Sequence, residues 1–273
     1  MPRPVHTVAA VSFLNSRPLI DGLEREPAIS VITDVPSRLL ETLTSSRARV
    51  ALCPIIDFQT SPLELCVVPV GAIGSDGPTH TVRVFSRVPI RRISRVHVDG
   101  DSHTSVALLE IVLEALNGQR PEITTLKENG QNGIDPPESV LLIGDKVVRD
   151  EPAIGLYPYQ LDLGEAWKRL SGLPFVFATW LARVGDDLGE LPATLQRYRE
   201  RNLMRIQEIV AAHADGWPAD LANRYLGNIL RFEIGAPELR SIELFWERCH
   251  ALELLGDLRP MRLYPGNVQT FNV

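Results

Sequence analysis

Short apolar runs alternate with helically spaced segments along the first half of the chain. Val5 to Val11 has the pattern of a strand, Pro18 to Leu23 that of a short helix with proline in its tolerated first turn, and Ile29 to Thr33 that of a second strand. Pro36 to Leu43 carries helical spacing, and Arg49 to Cys53 is a short apolar strand ended by Pro54. This βαβ rhythm predicts a mostly parallel sheet. After a turn-rich stretch from Gly71 to Pro78, Thr81 to Ser86 reads as a strand, and a fresh unit starts with Arg95 to Asp99. There Val106, Leu109, Val112, Leu113 and Leu116 share one helical face that stops at Asn117-Gly118, and Val140 to Ile143 is a further strand. Leu173 to Trp180 reads as a strand returning towards the first unit. From Pro192 to Leu255 the periodicity is almost wholly helical, in three pieces broken at Gly216-Trp-Pro218 and Gly235-Ala-Pro237.

The pattern predicts two α/β lobes, the first discontinuous in sequence. Residues 1–88 and 182–273 form the first lobe and residues 89–181 the second, with the helical tail packed on the first. Two crossings, near 86–92 and 178–184, make a hinge beside a cleft. In open α/β sheets ligands bind beyond the carboxyl ends of strands, so Asn15-Ser16 and Ser102 to Ser105 are expected to line it.

Composition narrows the partners. At 273 residues and 44% hydrophobic the chain can bury a substantial core. A net charge of -6 with no basic run offers no footprint for nucleic acid or an anionic membrane, and no apolar segment is long enough to span a bilayer. Cys53, Cys66 and Cys249 are widely spaced and form no CxxC pair, which reads as buried thiols in a reducing compartment. The apolar run Val8 to Val11 is too short and too soon broken for a signal peptide, so a cytoplasmic protein is expected. The six histidines include no ligand pair at helical spacing, so no metal is expected; no GxGxxG, P-loop or GxSxG motif is present. Glu110 and Glu114 read as a solvated surface pair, and Phe177 and Trp180 as core or hinge residues.

The chemistry left to the cleft loops is anion binding. A helix amino terminus presents unpaired N–H groups and partial positive charge. Ser102, Thr104 and Ser105 add hydroxyls at one such end, Asn15 and Ser16 an amide and a hydroxyl at the other, and two facing pockets suit a ligand with two carboxylates. The same residues also fit a plain structural role, Ser102 or Thr104 capping a helix and Asn15 holding a turn.

Val11-Ser-Phe-Leu-Asn-Ser-Arg-Pro-Leu19, Gly74-Ser-Asp-Gly-Pro78 with Val84-Phe-Ser86, Ser102-His-Thr-Ser105, Leu142-Ile-Gly-Asp145 and Asp162-Leu-Gly-Glu-Ala-Trp167 followed by Gly172-Leu-Pro-Phe-Val-Phe177 occur in this order. Together they resemble the chorismate dehydratase family of the futalosine route to menaquinone. The resemblance runs from about residue 8 to 184. It implies a two-lobed type II periplasmic-binding-protein-like fold with the ligand between lobes. It also implies a carbon-oxygen lyase that converts chorismate, a dicarboxylate, to 3-[(1-carboxyvinyl)oxy]benzoate and water without metal or cofactor. On that implication Asn15 is the catalytic residue, and Ser16, Ser86, Ser102, His103, Thr104 and Ser105 bind substrate.

His103 stands where the family often has arginine, which introduces pH dependence in place of a fixed charge. Asp145 matches a family position and reads as a strand end. Two other functions share the fold: a cytoplasmic carboxylate-binding sensor, and the sister enzyme that makes 1,4-dihydroxy-6-naphthoate. The sister enzyme's Cys-Pro-Asn-Asp-like amino-terminal signature is absent here.

Overall fold

A computed structural model describes residues 6–126, 136–149 and 155–265. Val5, expected in the first strand, lies outside them. The first sheet contains β1 (His6–Val11), β2 (Ile29–Asp34), β3 (Val50–Pro54), β4 (Leu65–Ser75), β10 (Phe175–Arg183) and β11 (Leu230–Arg231), in the order β11-β4-β10-β3-β1-β2. The second contains β5 (Val82–Ser86), β6 (Arg95–Val98), β7 (Glu122–Thr125), β8 (Ser139–Ile143) and β9 (Tyr159–Asp162), in the order β7-β6-β8-β5-β9.

Both sheets are mixed rather than mostly parallel. β1 pairs parallel with β2 and β3, while β10 runs antiparallel to both β3 and β4. In the second sheet β6 is parallel to β7 and β8, but β5 is antiparallel to β8 and β9. A strand that re-enters a sheet from another lobe arrives against the direction of the βαβ strands already there. Sheet membership changes between Ser75 and Val82 and between Asp162 and Phe175. The expected boundaries at 88/89 and 181/182 assign β5 and most of β10 to the wrong sheet, and the hydrogen-bonded register corrects both.

The stretch expected to be turn-rich is largely strand, because Gly71 to Ser75 ends β4, which is buried throughout its length. Its glycines serve close approach. A Cβ on Gly74 would lie 2.5 Å from the Phe175 carbonyl oxygen, and one on Gly71 3.0 Å from a Leu19 methyl and 3.2 Å from the Trp180 indole nitrogen.

The helices follow their apolar spacing. α1 (Arg17–Ile20) is a single turn, and α2 (Pro36–Thr44) starts on proline and buries Pro36, Leu39, Thr42 and Leu43 on one face. α3 (Asp57–Thr60) follows β3. α4 (His103–Asn117) is capped by Ser102 and stopped by Gly118 at φ +74°. It buries Ala107, Leu108 and Ile111 besides the predicted face, since it packs against α6 (Leu163–Ser171) and the last helix; α5 (Lys146–Arg149) lies between them in sequence. Glu110 is therefore largely covered, 3.7 Å from Arg120, with its carboxyl raised by burial.

The tail has more breaks than its pattern suggests. α7 (Leu191–Leu203) and α8 (Ile206–His213) are separated at Met204-Arg205, and α9 (Ala219–Arg224) runs into a π turn, Tyr225–Ile229, before β11 and α10 (Ala236–Ala251). α7 packs on α1 and β4 as expected, whereas α10 packs on β10 and on α4 and so touches both lobes. Trp167, Phe175, Phe177 and Phe245 join α6, β10 and α10 in one aromatic cluster with centroids 4.7–6.2 Å apart, behind the cleft. Trp180 is buried in the core, and all three cysteines are buried and free.

Candidate functional site

The carboxyl ends of β1, β2 and β3 lead to Phe13, Pro36 and Pro54, which form one wall of a cavity between the sheets. Ile73, Ala178 and Pro54 continue this wall as one row across β4, β10 and β3. Opposite stand Thr79, Thr81 and Val82 from the crossover, Ser102 and Ser105 from the start of α4, and Ile143-Gly144 from the end of β8. Asn15 and Tyr225 also line the cavity, which encloses about 490 Å³ including its mouth. No lysine, arginine or histidine is among its lining residues. An anion there would be held by hydroxyls, backbone N–H groups and the amino end of α4.

Of the seven residues singled out from sequence, the structure brings Asn15, Ser102 and Ser105 together in this lining. The Ser102 hydroxyl accepts from the Ser105 amide at 3.3 Å and lies 3.1 Å from the Ser105 hydroxyl, so Ser102 both caps α4 and faces the cavity. Asn15 sits in the turn Leu14–Ser16, and its Oδ1 is buried with no protein partner. The expected second anion pocket is not a helix end, because α1 has only four residues.

The other four belong elsewhere. Ser16 is fully buried and turns its hydroxyl to the carbonyl oxygens of Val11 at 2.6 Å and Phe13 at 3.0 Å, closing its own loop. Ser86 ends β5 opposite Ser139, at the far end of the strand from Val82, and its hydroxyl meets the Val88 carbonyl and Ser139. Because β5 is antiparallel to β8, its amino end rather than its carboxyl end faces the cleft. Thr104 accepts from the Ile56 amide at 3.2 Å, and the His103 Nδ1 lies 2.8 Å from Asp57 Oδ1. Both are contacts from α4 to the β3–α3 loop of the first lobe. The hydrogen bond with Asp57 raises the His103 pKa, while burial raises that of Asp57.

Further contacts close the lobes on each other. The Leu14 amide donates to Asp145 Oδ2 at 3.4 Å, and the Ser37 amide donates to the Asp101 carbonyl at 3.0 Å. Gly144, at φ +68°, lies flat on the Phe13 ring, where a Cβ would come within 2.8 Å of it.

Sequence reasoning missed Thr79, Thr81 and Tyr225. The two threonines are set by Asp162, whose carboxylate accepts from the amides of Thr79, His80, Gly164 and Glu165 at 2.8–3.1 Å and from the Thr79 hydroxyl. The Asp162 and Gly164 of the recognised motif thus signal the crossover rather than a ligand contact. Tyr225 lies in the π turn of a segment read as plain helix, and π turns favour functional positions. Its hydroxyl is 2.7 Å from Thr81 Oγ1. Burial pushes its phenol well above the ordinary value, with hydrogen bonds from Thr81 and Asn15 opposing the rise.

Among the described residues no group of three His, Cys, Asp or Glu side chains is placed to hold a metal ion, and no helix is long and apolar enough to cross a membrane.

The family model for menaquinone biosynthesis matches residues 6–251. A chorismate dehydratase of Thermus thermophilus is 28% identical over 253 residues, 86% of this chain and 92% of that one. A crystal structure of an Archaeoglobus fulgidus protein superposes with a TM-score of 0.72 at 14% identity, over 92% of this chain and 98% of its own. The aliphatic sulphonate binding protein of Escherichia coli, a periplasmic protein, superposes with a TM-score of 0.62 at 16% identity, over 93% and 94%. These structural likenesses show a periplasmic-binding-protein fold.

Proposed function

The chain belongs to the menaquinone biosynthesis family, and we propose that it is a chorismate dehydratase, a hydro-lyase acting in the cytoplasm on the futalosine route. The observation that carries this reading is the family match over residues 6–251, joined to a cavity that puts Asn15, Ser102 and Ser105 in one lining. The Thermus thermophilus relative supports the same substrate.

Chorismate loses the C3 proton and the C4 hydroxyl. The C3–H electron pair becomes the last ring double bond, the C4–O bond breaks, and water leaves, so the reaction balances without an oxidant or reductant. Aromaticity supplies much of the driving force, and the protein's task is to bind, orient and exclude water. Ser102, Ser105 and the first turn of α4 hold one carboxylate; Thr79 and Thr81 offer hydroxyls across the cavity. The substrate's own enolpyruvyl carboxylate accepts the proton, and Asn15 fixes the reacting end. Phe13 and Phe177 flank the ring.

The test is to incubate the purified protein with chorismate and no added cofactor, following product by liquid chromatography and mass spectrometry. The wild type forms 3-[(1-carboxyvinyl)oxy]benzoate, and Asn15→Ala loses about 100- to 1,000-fold in kcat, the range for removing one preorganised polar group at a reacting centre. Tight binding of chorismate with no product would replace the enzyme with a sensor, and full turnover by Asn15→Ala would remove that residue from the mechanism.

A further inference from the structure

Three side chains far apart in sequence meet in the cavity wall: Asn15 after β1, Thr81 at the entry to β5, and Tyr225 in the π turn before β11. Tyr225 is 1% exposed, and its ring stacks on Trp217 at 4.9 Å and 22°, so its hydroxyl has one place to go. That hydroxyl lies 2.7 Å from Thr81 Oγ1 and also takes a hydrogen bond from the Asn15 side chain. A phenol oxygen can accept only from the nitrogen end of an amide. The amide nitrogen is thereby turned towards Tyr225, and the other end, Oδ1, is buried in the lining with no protein partner.

We infer that Tyr225 is a positioning residue which holds the Asn15 amide so that its carbonyl oxygen, an acceptor, faces the substrate. This rests on the dehydratase reading for the identity of the substrate. An acceptor needs a donor, and ionised carboxylates have none. The one hydroxyl of chorismate is the C4 group that departs. Asn15 Oδ1 therefore pairs with the leaving hydroxyl and not with either carboxylate, setting the C4–O bond for elimination. The amide gives up no proton; the water formed takes its second hydrogen from the C3–H bond through the substrate carboxylate.

Two measurements test this independently. In protein labelled with ¹⁵N, the Asn15 side-chain NH₂ signals are identified by their loss in Asn15→Ala. In Tyr225→Phe those protons exchange with solvent at least about tenfold faster than in wild type, as expected when a buried hydrogen bond is removed. Unchanged exchange overturns the proposal. In turnover, Tyr225→Phe lowers kcat about tenfold while KM for chorismate stays within about twofold, the split of an interaction used on the way to the transition state. The same substitution in the Asn15→Ala background costs no more than about twofold, because residues acting as a unit are not additive. Equal losses in both backgrounds overturn it, since a merely structural tyrosine would act without Asn15. Should Tyr225→Phe fail to fold, Thr81→Val removes the other partner of the same hydroxyl and is read by the same exchange. A wild type that makes no product defeats the dehydratase reading but leaves the exchange test standing.

Discussion

Asp57 is fully buried at the end of β3, and one of its oxygens has no partner, while the other meets the half-exposed His103 of the opposite lobe. Burial raises the Asp57 carboxyl, and the hydrogen bond from Asp57 is the largest influence raising His103. A histidine whose folded pKa is raised contributes fully below its ordinary value of about 6.5 and loses that contribution as pH rises through the raised value. The contact joins lobes, so closure weakens in that same window. KM for chorismate accordingly rises with pH above the neutral region in the wild type, and His103→Gln flattens that rise; parallel profiles would show that the pair does not govern closure. The residue type at position 103 was legible in the sequence, but its destination was not. A histidine at a helix start faces whichever loop the other lobe brings to it. The same holds for Ser86, whose hydroxyl suited a carboxylate as well as it suits Ser139.

At the scale of elements, the crossover from β4 to β5 depends on the start of α6. Asp162 caps α6 and at the same time gathers the amides of Thr79 and His80, and Gly164 lets the two segments touch. A Cβ at Gly164 would lie 2.4 Å from the Thr79 methyl and 2.7 Å from both the Gly77 carbonyl oxygen and the Ser75 hydroxyl. Gly164→Ala therefore destabilises the protein by about 1–3 kcal/mol, the range for overpacking a filled site. It also displaces Thr79 from the cavity, raising KM. Thermal melting beside turnover checks both, and an unchanged melting temperature would show the crossover to be slack. Helices with caps and single-faced spacing, α2 and α4, were visible in the sequence. β4 was obscured at its end because Gly71 and Gly74, local signs of a turn, answer to contacts with Leu19, Trp180 and Phe175.

For the whole molecule the two lobes meet through Leu14 with Asp145, Ser37 with Asp101, Ile56 with Thr104, and Phe13 with Gly144. Gly144→Ala combines a strained positive φ with a Cβ pressed into Phe13, and so opposes closure. KM for chorismate then rises about tenfold, as small misplacements of a site can cost more than that. Small-angle scattering with saturating chorismate gives a larger radius of gyration than wild type; equal radii would show that this contact does not limit closure. The sequence by itself determined the α/β class, the two sheets' worth of strands, the capped helix behind Ser102 and, through ordered motifs, the family. Apolar periodicity and capping are local properties, fixed by which side chains can leave water together within a few residues. Only the tertiary structure decided strand direction in β5 and β10, the burial of Ser16 and Ser86 away from the cavity, and the meeting of Asn15, Thr81 and Tyr225. Those depend on contacts between segments distant in the chain, where register and packing, rather than local preference, select each side chain's partner.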